Sequence, residues 1–115
     1  MTFFLSRAER LSATKEFLEV KSRGFSVKTD PFWMQVLKVR SGDSKLGVIA
    51  TRRLGNAVFR NKSKRLVREL FRKHKSKISF PVHLVVLPRK SILKTPFHQL
   101  EKCYIDALSR ASFRI

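Results

Sequence analysis

Apolar residues recur every three or four positions in some stretches of this chain and every second position in others, the periods of helices and strands respectively. In residues 7–23, Leu11, Phe17, Leu18 and Val20 stand among charges. Ser12 or Thr14 is placed to cap a short first helix there and Gly24 to stop it. Over residues 25–39 β-branched and aromatic side chains dominate, and Asp30-Pro31 divides them into two strands meeting at a turn. Ser41-Gly42-Asp43 predicts the next turn. A third strand follows over residues 46–51, with Leu46, Val48 and Ala50 alternating against Gly47, Ile49 and Thr51.

The pattern then turns helical. Projected at a helical repeat, Phe59, Leu66, Val67, Leu70 and Phe71 gather in one arc, while Arg60, Asn61, Lys64, Arg65, Arg68 and Arg72 gather in another. Asn56 is the expected N-cap. Residues 82–87 form an almost unbroken apolar run between Pro81 and Pro88, as in a strand covered on both faces. Thr95-Pro96 suits the start of a last helix, along which Phe97, Leu100, Tyr104, Ala107, Leu108 and Ala111 recur. The order αβββαβα predicts an α+β two-layer sandwich, one four-stranded sheet with helices packed on it. Residues 1–115 read as a single domain, with no repeat or linker.

Charge narrows the function. Lys and Arg number 26 against 8 Asp and Glu, a formal net charge of +18. Such an imbalance repels itself unless a polyanion supplies the counter-charge, and nucleic acid is the commonest one. No apolar run approaches the ~20 residues of a membrane-spanning helix, so no membrane partner is expected. The apolar start at Phe3 to Leu5 is too short for a signal peptide. A lone cysteine, Cys103, excludes an intrachain disulfide and a Cys-based metal site, which fits a reducing cytoplasm. With 43% hydrophobic residues and ten Phe, a packed core needs neither.

The charge is concentrated. Residues 52–77 hold eleven Lys or Arg and one acid, Glu69. A charged helix face is ordinarily a solvated one with mixed signs, but here the acids that would pair at i±4 are missing and phosphates are the natural filling. Upstream, Thr51-Arg52-Arg53-Leu54-Gly55-Asn56 sets two guanidinium groups beside a glycine turn leading into the helix N-terminus, where backbone N–H groups favour anions. Phe17, Phe32, Trp33 and Tyr104 are the candidates for base stacking, although aromatics at such spacings are ordinarily core; Phe17, on a short charged helix, is favoured. His74, His83 and His98 fall on different elements without metal-ligand spacing, and His83 reads as a hydrogen-bonded core histidine. No catalytic constellation is visible. A nucleic-acid-processing subunit, a ribosomal-protein-like binding module and a polyanion-condensing or membrane-active basic protein all share this charge, although the sorting of apolar residues into packed elements disfavours the last.

The stretch Arg53-Leu54-Gly55-Asn56-Ala57-Val58-Phe59-Arg60-Asn61-Lys62-Ser63-Lys64-Arg65-Leu66-Val67-Arg68-Glu69-Leu70-Phe71-Arg72 resembles the signature of the bacterial ribonuclease P protein family: a Gly-x-Ala loop, Arg-Asn-Lys, Lys-Arg, then Arg-Glu-x-Phe-Arg. Glu9-Arg10-Leu11, Lys15-Glu16-Phe17, Leu46-Gly47 and Pro88-Arg89-Lys90 fall in the family's order as well. The resemblance implies a ribosomal protein S5 domain 2-like fold with a left-handed βαβ crossover, against the usual rule. It also implies a cytoplasmic bacterial ribonucleoprotein that removes the 5′ leader of precursor tRNA, with the catalytic centre and its magnesium ions in the RNA subunit. The protein would bind no cofactor of its own and need no obligate protein partner. By position, Arg60, Asn61, Lys62, Lys64, Arg65, Arg68 and Arg72 match the face toward the catalytic RNA, and Phe17, Lys21, Arg52, Arg53 and Arg89 the leader-binding positions. Lys21 is a departure, because many members carry a second aromatic there; a phosphate contact in place of stacking would make leader binding more salt-sensitive.

Overall fold

In the computed structural model, which describes residues 9–11, 13–78 and 80–112, the chain runs α1 (Thr14–Arg23), β1 (Phe25–Lys28), β2 (Phe32–Lys38), β3 (Lys45–Val48), α2 (Ala57–Lys73), β4 (Val82–Pro88) and α3 (Phe97–Ser112). Short 3-10 turns lie at Arg52–Leu54, Lys75–Lys77 and Lys90–Lys94. This is the order that the apolar periods predict. The strands pair as β1-β2-β4-β3. The first two contacts are antiparallel, with Trp33 opposite Leu87 and Leu37 opposite His83. β3 joins β4 in parallel, with Leu46 opposite Leu84 and Gly47 opposite Val85. A parallel neighbour needs a crossover, and α2 provides it.

Alternation along the strands sends two apolar sets to opposite faces. Phe32, Met34, Val36, Leu46, Leu84 and Val86 meet Val67, Leu70 and Phe71 of α2 and Leu100, Tyr104 and Ala107 of α3 in the main core. On the other face, among the described residues, Leu37 and Val85 pack with Leu11 and Val20, with Phe17 and Leu87 half-buried around them. One short helix cannot cover four strands. The part of this face that the described residues leave open is where a ligand can reach the sheet.

Several expectations are corrected. The first helix starts only at Thr14: Arg10 forms a parallel bridge to Leu46 and the Leu11 N–H donates to the Leu46 carbonyl at 3.1 Å, so Arg10 and Leu11 follow the sheet edge, while residues 7 and 8 lie outside the described residues. Leu11 fits a helical period yet serves the smaller core from that extended segment. Ala13 occupies the cap position without a side-chain bond, Thr14 is already helical, and Ser12 lies outside the described residues. Gly24 stops α1 with extended backbone, φ −77°, not a left-handed turn. Its role is room, since a Cβ there would meet the Val20 carbonyl oxygen and, at 3.0 Å, that of Val36. Pro96 precedes the first helical residue of α3, and its carbonyl accepts from Gln99 and Leu100.

Candidate nucleic-acid interface

The basic helix begins as its sequence requires. Gly55 takes φ +128°, a conformation that L side chains rarely adopt, and ends the Arg52–Leu54 turn. The Asn56 side chain then accepts the Phe59 N–H at 3.1 Å, satisfying one of the orphan donors of the first turn. Burial on α2 starts at Ser63, whose hydroxyl donates to the Phe59 carbonyl at 2.9 Å, and continues through Val67, Leu70 and Phe71. Leu66 is half-buried. Phe59 is 46% exposed and Val58 70%, so the apolar arc drawn from the sequence is wrong at its N-terminal end.

Acidic groups are segregated along this helix. Glu69, almost fully buried, accepts from Arg72 at 2.6 and 3.2 Å, which raises the Arg72 pKa. Glu101 of α3 pairs with Lys73 at 2.9 Å and with His74 at 2.9 Å. The Lys73 ammonium, helped by His74, holds the Glu101 carboxyl below the usual carboxylate range despite burial. Glu9 pairs with Lys75. Every one of these contacts lies at the C-terminal end. Among the described residues Arg52, Arg53, Arg60, Lys62, Lys64, Arg65 and Arg68 have no carboxylate partner. Arg60, Lys64 and Arg68 form an i, i+4, i+8 row. Burial, followed by the neighbouring Arg10, pushes the Arg68 pKa down. Arg60 keeps a buried Nε with no hydrogen-bond partner. Asn61 and Arg65 stand exposed beside this row, Lys62 lies exposed on another side, and Arg72 is already committed to Glu69.

The second feature is a cavity of about 700 Å³ on the open sheet face. Trp33, Leu87 and Ile49 line it from β2, β4 and the extension of β3, where the Ile49 N–H donates to the Val86 carbonyl at 3.0 Å. Arg53, Arg89 and Lys90 supply positive charge around it, with Asp30 the one acid in the lining. The Arg89 N–H donates to the Pro31 carbonyl at 3.0 Å and the Ser91 hydroxyl to the Asp30 carbonyl at 2.9 Å, tying the loop after β4 to the β1–β2 turn. Trp33 is 38% exposed; Lys28 Nζ lies 4.5 Å and Arg89 Cζ 5.2 Å from its ring centroid. These cations hold the indole in place and offer phosphate contacts beside it.

The leader-binding candidates are thus distributed. Arg53 and Arg89 share the cavity; Arg52 is exposed on the preceding turn. Phe17 lies on the same sheet face against Gly47, where a Cβ would come within 2.5 Å of its Cε1, but it does not line the cavity. Lys21 is exposed on α1 and is not among the lining residues either. Phe32 and Tyr104 are fully buried and belong to the core; burial pushes the Tyr104 hydroxyl pKa up. Trp33 is the aromatic that the cavity presents, and its position follows from pairing order, which no local sequence signal carries. His83 is half-buried with no side-chain hydrogen bond among the described residues, while His74 is the buried, bonded histidine. Desolvation lowers the His83 pKa.

Comparison with known proteins places this geometry. The Ribonuclease P family model matches residues 5–112. The ribonuclease P protein component of Thermotoga petrophila is 39% identical over 101 residues, 88% of this chain and 86% of that one. That of Halalkalibacterium halodurans is 32% identical over 98 residues, 84% of this chain and 82% of that one. The solved RNase P protein of Staphylococcus aureus superposes with a TM-score of 0.78 at 30% identity, covering 91% of this chain and 96% of that one. For the Thermotoga maritima protein the TM-score is 0.78 at 33% identity, with 89% and 96% covered.

Proposed function

This chain belongs to the ribonuclease P protein family and is the protein subunit in tRNA 5′-end processing, and from that premise we propose how its two surfaces divide the work. The cationic part of α2 docks on the catalytic RNA. The sheet face between Phe17 and the Trp33–Arg89 cavity holds the single-stranded 5′ leader of precursor tRNA. The observation that carries this reading is charge segregation: among the described residues, five cations of α2 (Arg60, Lys62, Lys64, Arg65 and Arg68) have no carboxylate partner, and the compensating acids sit at the C-terminal end of the helix. Phosphates fill the unpaired end.

Cleavage itself then belongs to the RNA subunit, in the cytoplasm of a bacterial cell. In this reading the magnesium of the holoenzyme is held by the RNA subunit. The protein contributes by position and charge. Arg53, Arg89 and Lys90 hold leader phosphates, Trp33 and Phe17 offer ring faces to unpaired bases, and the restricted leader fixes the scissile bond against the RNA. Cations between two RNAs also screen their mutual repulsion.

Assembly with ribonuclease P RNA tests the reading. Arg60→Ala and Arg65→Ala should each weaken binding and flatten its salt dependence, because fewer counterions are released. Thermal unfolding should stay near that of the parent protein. Parent-like assembly by both variants would remove the assignment of α2 to the RNA.

A further inference from the structure

Phe59 belongs by helical period with the core residues of α2, yet the fold leaves it 46% exposed, beside Val58 at 70%. A scattered surface apolar residue needs no explanation in itself. This one has contacts that position it. A Cβ on Gly55 would lie 2.8 Å from Phe59 Cδ2, so the ring rests against the glycine turn. Its N–H is capped by Asn56 at 3.1 Å and its carbonyl accepts from Ser63 at 2.9 Å. Contacts within the chain that already place a side chain lower the entropic cost of binding.

The neighbourhood decides the partner. Arg60 follows at once in the chain and Lys62 three positions on, and neither has a carboxylate partner among the described residues. An apolar protein surface laid on Phe59 would have to desolvate those cations without compensation. An unpaired nucleotide satisfies both demands, its phosphate on the cations and its base on the ring. The cavity assigned to the leader does not include Phe59. We propose that Phe59 is a stacking platform for an unpaired base of the RNA subunit, flanked by Val58, so that docking of α2 combines phosphate neutralisation with one aromatic contact. The proposal rests on the reading of α2 as the RNA face.

The test is binding of the full chain to ribonuclease P RNA over a salt series, with Phe59→Ala, Phe59→Leu, Phe59→Tyr and Arg60→Ala beside the parent protein and thermal unfolding as the control for folding. Phe59→Ala and Phe59→Leu should weaken binding by roughly 5- to 150-fold, the range for losing one base–aromatic stack. Phe59→Tyr keeps the ring and should retain parent affinity. All three should leave the slope of log affinity against log salt unchanged, whereas Arg60→Ala flattens it. Parent-like binding by Phe59→Leu would overturn stacking, since apolar bulk would then suffice. Parent-like binding by Phe59→Ala, with Arg60→Ala impaired, would overturn the platform while sparing the RNA face. An unimpaired Arg60→Ala would strike at the RNA face itself. Self-association of the parent abolished by Phe59→Ala, with RNA affinity unchanged, would assign the patch to a second copy of the chain and overturn the proposal.

Discussion

Replacing Gly47 by alanine should destabilise the protein, and the sign should reverse or vanish once Phe17 is truncated. A Cβ at Gly47 would lie 2.5 Å from Phe17 Cε1, 2.6 Å from its Cζ and 3.2 Å from Leu11 Cβ. Carbon atoms settle at about 3.5–4.0 Å, so the ring must withdraw by roughly 1 Å. Overpacking of this kind costs about 1–3 kcal/mol. The half-buried ring can tilt toward solvent, which favours the lower half of that range. Against it, Gly47 is not in the positive-φ region, so alanine fits the backbone and gains about 0.4–1 kcal/mol by restricting the unfolded chain. The net expectation is a loss of up to about 1.6 kcal/mol in the parent. In a Phe17→Ala background the ring clash is gone and Gly47→Ala should be neutral or stabilising by up to about 1 kcal/mol. Urea unfolding of the four proteins, with matched m-values, closes the cycle. An equal cost in both backgrounds would refute the idea that Gly47 exists to seat Phe17. The displaced ring should also impair leader binding, so Gly47→Ala should mimic Phe17→Ala in RNA assays.

Further outcomes follow from the same geometry. Phe17→Ala should lower affinity for precursor tRNA relative to mature tRNA; an unchanged ratio would remove Phe17 from the leader path. Arg72→Ala should scarcely change RNA binding but lower the urea midpoint in unfolding experiments, because the buried Glu69 carboxylate loses its partner. The opposite pattern would return Arg72 to the RNA face. Burial lowers the His83 pKa, with Glu16 and Glu19 opposing the shift and Lys45 adding to it. Below the ordinary value of about 6.5 the unfolded chain therefore binds more protons, so this contribution is present at neutral pH and lost on acidification. Between about pH 7.5 and 5.5 the parent should lose more stability than His83→Gln, and equal losses would contradict the assigned burial.

The legibility of this protein depended on how local each signal was. The element order and the basic helix with its Asn56 cap could be read because period, turn residues and capping chemistry all lie within a few positions of one another. Phe59 was misplaced because a projection treats a helix face as uniform, whereas burial on α2 starts only at Ser63. The pairing of Arg72 with Glu69 is not legible in the sequence, because nothing there shows that Glu69 turns inward to meet it. The cavity was invisible for a different reason. Trp33, Ile49 and Leu87 are far apart in the chain and converge only because β4 inserts between β2 and β3. The resemblance supplied Arg53 and Arg89, but Trp33 needed the fold. The first helix was overextended because Leu11 satisfies a helical period while pairing along the sheet edge.

In the proposed division of labour, this protein assists an RNA catalyst by holding the leader and neutralising phosphates. The most direct test of that claim is cleavage of a 5′-labelled precursor tRNA at low magnesium by a cognate bacterial ribonuclease P RNA, with and without the protein. The prediction is stimulated cleavage at the mature 5′ end, and none by the protein alone. Tight RNA binding without stimulation would contradict the claim and leave a basic RNA-binding module in its place.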